Sequence, residues 1–184
     1  MKSLKKILFI LLALTLAFCF FACGGGGDEL PPEKEGELLL IYNGKALFNV
    51  VYTNSASSSG KRAADDFVKD LRNLGVEVND AISDRDASAV TDCEIIIGAN
   101  AENRGEDCCI TTAYLGAEGQ AIKTVGKRVI IAGGTPKLTT DAFDVYVRNQ
   151  MKISSKTESI TTLSVLDNYS YTDLTEYGIE SIKI

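Results

Sequence analysis

Two hydrophobic periods run through this chain, and they predict its elements. Ala63, Ala64, Phe67, Val68, Leu71 and Leu74 recur at helical spacing, with Lys61, Arg62, Asp65, Asp66, Lys69, Asp70 and Arg72 on the other side. This predicts an amphipathic helix, with capping residues in Ser57-Ser58-Ser59-Gly60 and a terminating glycine at Gly75. A second helix is expected after Gly133-Gly134-Thr135-Pro136, burying Leu138, Ala142, Phe143, Val145, Tyr146 and Val147. The other segments read as strands. Leu38 to Tyr42, the turn Asn43-Gly44 and Ala46 to Tyr52 predict an opening hairpin. Val76-Glu77-Val78 alternates as a short strand, and the β-branched run Glu94-Ile95-Ile96-Ile97 has the character of a strand buried on both faces.

Gln120 to Val125 and Lys127 to Ala132 flank Gly126 and predict a second hairpin, while Ile160 to Val165 and Tyr169 to Tyr177 supply at least one further strand. Ala99 to Gly116 has no clear period and reads as a long loop. Strands interspersed with two core-facing helices predict an α/β (α+β) fold, a mixed β-sheet covered on one face by two main helices. Hairpins at both ends of the list argue against a purely doubly wound sheet.

The first residues follow another logic. Lys2, Lys5 and Lys6 precede an apolar run from Ile7 to Phe21, then Ala22-Cys23 and four glycines. At about fifteen residues the run is short for a membrane span. The pattern resembles a bacterial lipobox, with Phe20 where leucine is usual and Phe21 bulkier than usual. The resemblance implies a signal peptide over residues 1–22, diacylglycerol on the Cys23 thiol, and a protein anchored on the exported side of the bacterial envelope membrane. Cys19 is the rival acceptor, but Phe18 stands where a small residue is wanted. Residues 23–36, with Gly24 to Gly27 and Pro31-Pro32, have little to bury and read as a tether. Residues 37–184 then suffice for one domain.

Loss of residues 1–22 leaves 16 basic against 25 acidic residues, a formal charge of −9. Such a surface repels nucleic acid and anionic lipid, so the expected membrane partner is reached through the lipid alone. With no histidine in the chain, Ser-His and Cys-His nucleophile pairs are excluded and zinc is disfavoured; no metal or cofactor is expected. Cys93, Cys108 and Cys109 remain after Cys23, with a bridge from Cys93 to Cys108 or Cys109 open to them in an oxidising compartment. The adjacent pair Cys108-Cys109 is hard to bridge without strain.

The segments Lys61 to Leu71, Gly75-Val76-Glu77-Val78, Glu94 to Asn100 with Arg104, and Gly126 to Gly134 resemble, in order and spacing, the N-terminal accessory domain of α-glucuronidases and family 20 β-hexosaminidases. The likeness covers about residues 38–150. It implies a mixed sheet backed by helices, placed before a catalytic barrel that the 34 residues after Gln150 cannot supply. The expectation is a non-catalytic, lipid-anchored module associated with glycan or with an envelope protein. The alternatives are the N-terminal fragment of a larger glycoside hydrolase and a structural envelope lipoprotein.

Three features carry candidate chemistry. Gly133-Gly134-Thr135 could present amides to an anion, but it lacks P-loop spacing and reads better as a tight strand-to-helix turn. Asp84, Asp86 and Asp92 could bind calcium, but without EF-hand spacing they read as a solvated loop. Tyr169, Tyr171 and Tyr177 are candidate glycan contacts, because aromatic faces pack against pyranose rings; the same spacing suits an ordinary strand.

Overall fold

The computed structural model describes residues 30–54, 58–86 and 89–174, so the expectations for Cys23 and Tyr177 concern residues outside it. All the elements belong to the unit that begins at Glu33. In chain order they are β1 (Glu37–Tyr42), β2 (Lys45–Ala46), β3 (Asn49–Tyr52), helix α1 (Ser58–Asn73), β4 (Ile82–Ser83) and β5 (Glu94–Ile97). A 3₁₀ turn (Glu106–Cys108) and a one-turn helix, α2 (Thr112–Leu115), follow. Then come β6 (Gln120–Val125), β7 (Arg128–Gly133), helix α3 (Pro136–Tyr146) with a π turn (Val147–Met151), β8 (Leu163–Leu166) and β9 (Ser170–Asp173).

The α+β fold is as the pattern predicts, but the strands form two sheets. The main sheet has the order β4-β3-β5-β7-β6-β9, and the smaller one β2-β1-β8. Strands β4, β3, β5 and β7 run parallel, β6 returns antiparallel to β7, and β9 closes the edge antiparallel to β6. The opening hairpin is therefore much shorter than expected. Only Lys45 and Ala46 turn back on β1; after Leu47-Phe48 the chain enters the main sheet, where Val50 and Val51 stand opposite Ile95 and Ile96. Burial explains this. Val50 and Val51 are both covered, on opposite faces, and a terminal hairpin would leave one of them in water. The expected strand at Val76-Glu77-Val78 reduces to a single bridge from Lys45 to Glu77.

Period-two alternation sorts the main sheet into two cores. Val50, Ile95, Ile97, Ile122, Val129 and Ile131 face the two long helices, meeting Phe67, Leu71, Phe143 and Tyr146. Leu38, Leu40, Ile41 and Val165 of the small sheet complete this cluster. Val51, Ile96, Ile130, Ala132 and Ala121 face the other way, against Ala99, Cys108, Ile110 and Leu115. The segment without a period is thus a cover for the second sheet face. Its side chains follow the irregular path of a wrapping loop, so no repeat of 2 or 3.6 is imposed on them.

Helix α1 ends as predicted. Gly75 takes φ +81°, its amide donates to Arg72 O and that of Val76 donates to Leu71 O, both at 3.0 Å. This is a Schellman closure, whose left-handed residue favours glycine. Helix α3 begins with Thr135 as its cap, the Oγ1 accepting from Leu138 N at 3.3 Å, and Pro136 in the first turn.

Candidate functional site

In the Gly133-Gly134-Thr135 turn both glycine amides are already engaged, as is that of Leu138 in the helix turn that follows. Gly133 N donates to Thr139 Oγ1 at 3.0 Å, Gly134 N to Gly119 O at 2.8 Å, and Leu138 N to Thr135 Oγ1. A Cβ on Gly133 would run into the Leu138–Thr139 backbone, and one on Gly134 into the Gly116 carbonyl. Both glycines permit close passage of one backbone over another, and the tight-turn reading stands.

The three aspartates do not converge. Among the described residues no set of three His, Cys, Asp or Glu side chains is placed to hold a metal ion. Asp86 and Asp92 are exposed, but Asp84 is fully buried, which corrects the solvated-loop expectation. Its Oδ1 accepts from Asn54 N and its Oδ2 from Glu102 N, each at 2.9 Å. The carboxylate therefore ties together the chain after β3, the end of β4 and the loop after β5. Around it, Arg85 lies 3.4 Å from Glu102, and Asn54, with its amide oxygen turned toward Arg85, accepts from that guanidinium at 2.9 Å.

A buried ionic cluster lies on the same side of the sheet. Glu94, at the start of β5, has no exposed side-chain surface, nor has Arg104. Arg104 Nε is 2.9 Å from Glu94 Oε2 and 3.1 Å from Oε1, and its Nη1 donates to Asp84 O at 3.0 Å. Arg128, opposite Glu94 on β7, approaches Oε2 to 3.2 Å and donates through Nη2 to Thr91 O at 2.6 Å. Oε2 is thus held by proximity to two cations even though it has no well-aligned hydrogen bond, and Arg104 Nη2 has none among the described residues. At these short distances the charge attraction holds the carboxylate, because it depends weakly on angle. The cluster sits beneath the covering loop with its groups turned on one another, so its role is to hold that loop down. In the sequence, Arg104 stands out only through the family likeness. An Arg in a loop has no periodicity signal to mark it as buried.

The three cysteines among the described residues, Cys93, Cys108 and Cys109, are free thiols. Cys93 packs against the helix-side cluster and Cys108 belongs to the cluster on the opposite face, so a bridge between them would have to cross the sheet. Burial pushes the Cys93 thiol up to about 11, against the pull of Lys127, leaving it protonated and a poor nucleophile at neutral pH.

Tyr169 and Tyr171 are brought together with Tyr146. Both are half-buried against the helix-side cluster, Tyr169 just before the edge strand β9 and Tyr171 on it, opposite Ile122. The Tyr169 ring stands 6.3 Å from that of Tyr146 at 52°. Burial, and then the neighbouring Tyr171, raises the Tyr169 pKa. Burial likewise raises that of Tyr171, whose hydroxyl lies 3.5 Å from Asp173 Oδ2. Two partly exposed rings and a carboxylate therefore share one sheet edge. No helix among the described residues is long and apolar enough to cross a membrane.

No family model and no curated protein matches the chain. Among solved structures it is similar to that described as "Structure of CpGH84D", a family 84 glycoside hydrolase protein, at 12% identity and a TM-score of 0.41. The match covers 78% of this chain and 24% of that one, so the chain spans about a quarter of that protein's length.

Proposed function

We propose that this chain is a lipid-anchored, extracytoplasmic, non-catalytic module that contacts glycan through the tyrosine edge of its main sheet. The observation that carries the glycan contact is the pairing of Tyr169, just before β9, with Tyr171 on β9, both packed against the helix-side cluster, with Asp173 beside Tyr171. Apolar ring faces can pack on pyranose C–H groups while a carboxylate accepts from sugar hydroxyls. Anchoring is supported by the Lys2 to Cys23 pattern. The absence of histidine and the inert Cys93 thiol support a binding role over a catalytic one.

Two measurements test this reading. Intact mass of the protein extracted from its native membrane should match residues 23–184 plus acyl chains, and Cys23→Ala should move it from the detergent-rich to the aqueous phase. A heavier polypeptide would favour the glycoside hydrolase alternative, and a Cys23→Ala protein still in the detergent phase would remove the lipid anchor. Separately, the full chain should sediment with purified cell-wall polysaccharide, and Tyr171→Ala should weaken that association by about tenfold, the scale of one aromatic stacking contact. Equal retention of wild type and Tyr171→Ala would dismiss the tyrosine edge as the contact.

A further inference from the structure

Helices α1 and α3 do not close completely over the sheet. Between them runs a groove of about 220 Å³ whose floor includes Phe67, Leu71 and Phe143. Phe67 and Phe143 meet edge to face, with centroids 4.9 Å apart at 76°, and hold the helices at this spacing. The polar lining has one sign. Asp66 and Asp70 come from α1 and Asp144 from α3, and among the described residues no lysine or arginine lines the groove.

That segregation is more than the overall negative charge requires. The two helices also carry Lys61, Arg62, Lys69, Arg72, Lys137 and, just beyond, Arg148, and none of them is in the groove lining among the described residues; Arg148 Nε donates to the main-chain oxygen of Asp144 rather than to its carboxylate. Arg72 pairs with Asp80 at 2.8 Å and Lys137 with Asp141, both away from the groove lining. Three exposed carboxylates therefore face an apolar floor without a cation of their own among the described ion pairs.

We propose that this groove docks a segment of a second protein that presents an arginine or lysine beside apolar residues. The methylene stem of such a side chain lies along Leu71 and the edges of Phe67 and Phe143, and its head reaches Asp66, Asp70 and Asp144. Size and shape favour this occupant over a saccharide. The volume falls below the ~300 Å³ at which small-molecule sites begin, which suits one or two side chains. The two phenylalanines are only 5% and 7% exposed, so no flat ring face is open for a pyranose to stack on. The inference is independent of the tyrosine edge, which lies on β9.

The probe is a fluorescent, acetylated hexapeptide alternating leucine and arginine, titrated into the detergent-solubilised full chain and followed by anisotropy. Binding is expected to weaken with salt and to fall about tenfold in the triple variant Asp66→Asn, Asp70→Asn, Asp144→Asn, three exposed pairs of a few-fold each. A charge-matched control, Glu106→Gln, Asp107→Asn, Asp167→Asn, should bind as wild type does. All six sites are exposed, and circular dichroism will verify that both variants fold. Equal loss in the two variants would reduce the effect to net charge and overturn the proposal, as would equal binding of a citrulline version of the peptide or no binding at all. Displacement of the peptide by a glucosamine trimer more tightly than by unlabelled peptide would identify a cationic glycan as the occupant instead.

Discussion

Gly134→Ala is expected to cost about 3 kcal/mol or more of folding stability, a fall in Tm of about 10 °C for a domain of this size. The added methyl group would overlap the carbonyl of Gly116, and that carbonyl belongs to the backbone of a turn already tied to Gly134 through Gly119 O. Neither chain can give way without breaking the bond between them. Gly126→Ala is the matched control. Nothing lies within 4 Å of its hypothetical Cβ, but its φ of +58° strains any L side chain, at a cost of about 1 kcal/mol. Thermal melts of the two variants separate the two causes. If Gly134→Ala melted as high as Gly126→Ala, the crossing of the Gly116 turn over the end of β7 would be looser than described.

Arg104→Ala is the second large effect, expected to cost about 3–5 kcal/mol because it leaves the buried Glu94 carboxylate with the half-buried Arg128 as its remaining cation and the Thr91 amide as its remaining donor. The variant also loses the bond to Asp84 O. Amide hydrogen exchange should therefore speed up first at Ile110 and Leu115, which the loop lays against the second sheet face. The pair itself need not be a net source of stability. Desolvating two charges is costly, so the double variant Glu94→Leu, Arg104→Met should recover much of the loss. Arg128, with 22% of its side chain exposed, can turn toward water once Glu94 is gone. Guanidinium chloride titrations of Glu94→Leu, Arg104→Met and the double variant form a double-mutant cycle, read beside Arg104→Ala. A single-variant cost below about 1 kcal/mol would mean that the loop is held mainly by its apolar contacts.

These two predictions concern one architectural fact. Cys108, Ile110 and Leu115 cover a sheet face that no long helix protects, and that cover is fastened by Arg104 at one end and by the Gly134 crossing at the other. The helix side needs no such fastening, because α1 and α3 bring regular apolar stripes to it. Accordingly the helix side is where the chain can leave a groove open without exposing the sheet.

Much of this was legible along the chain. Local interactions determine a helix whose apolar residues repeat at 3.6, a glycine that ends it, a second helix that starts after Gly133-Gly134-Thr135-Pro136, and a hairpin about Gly126, and all four stand where the pattern puts them. The buried run Ile95-Ile96-Ile97 also declared itself, since only a strand covered on both faces tolerates it. Other features depend on partners distant in sequence. Whether Asn49 to Tyr52 folds back on β1 or pairs with Glu94 to Ile97 is decided by which arrangement buries both Val50 and Val51. Whether Asp84 is solvated or central is decided by the amides of Asn54 and Glu102 arriving beside it. The sequence by itself determined the helices, the turns, the absence of histidine chemistry and the acidic surface, because these reside in neighbouring residues and composition. The tertiary structure alone decided the split into two sheets, the burial of Glu94 with Arg104, and the gathering of Asp66, Asp70 and Asp144 along one groove, because each requires segments distant in the chain to meet.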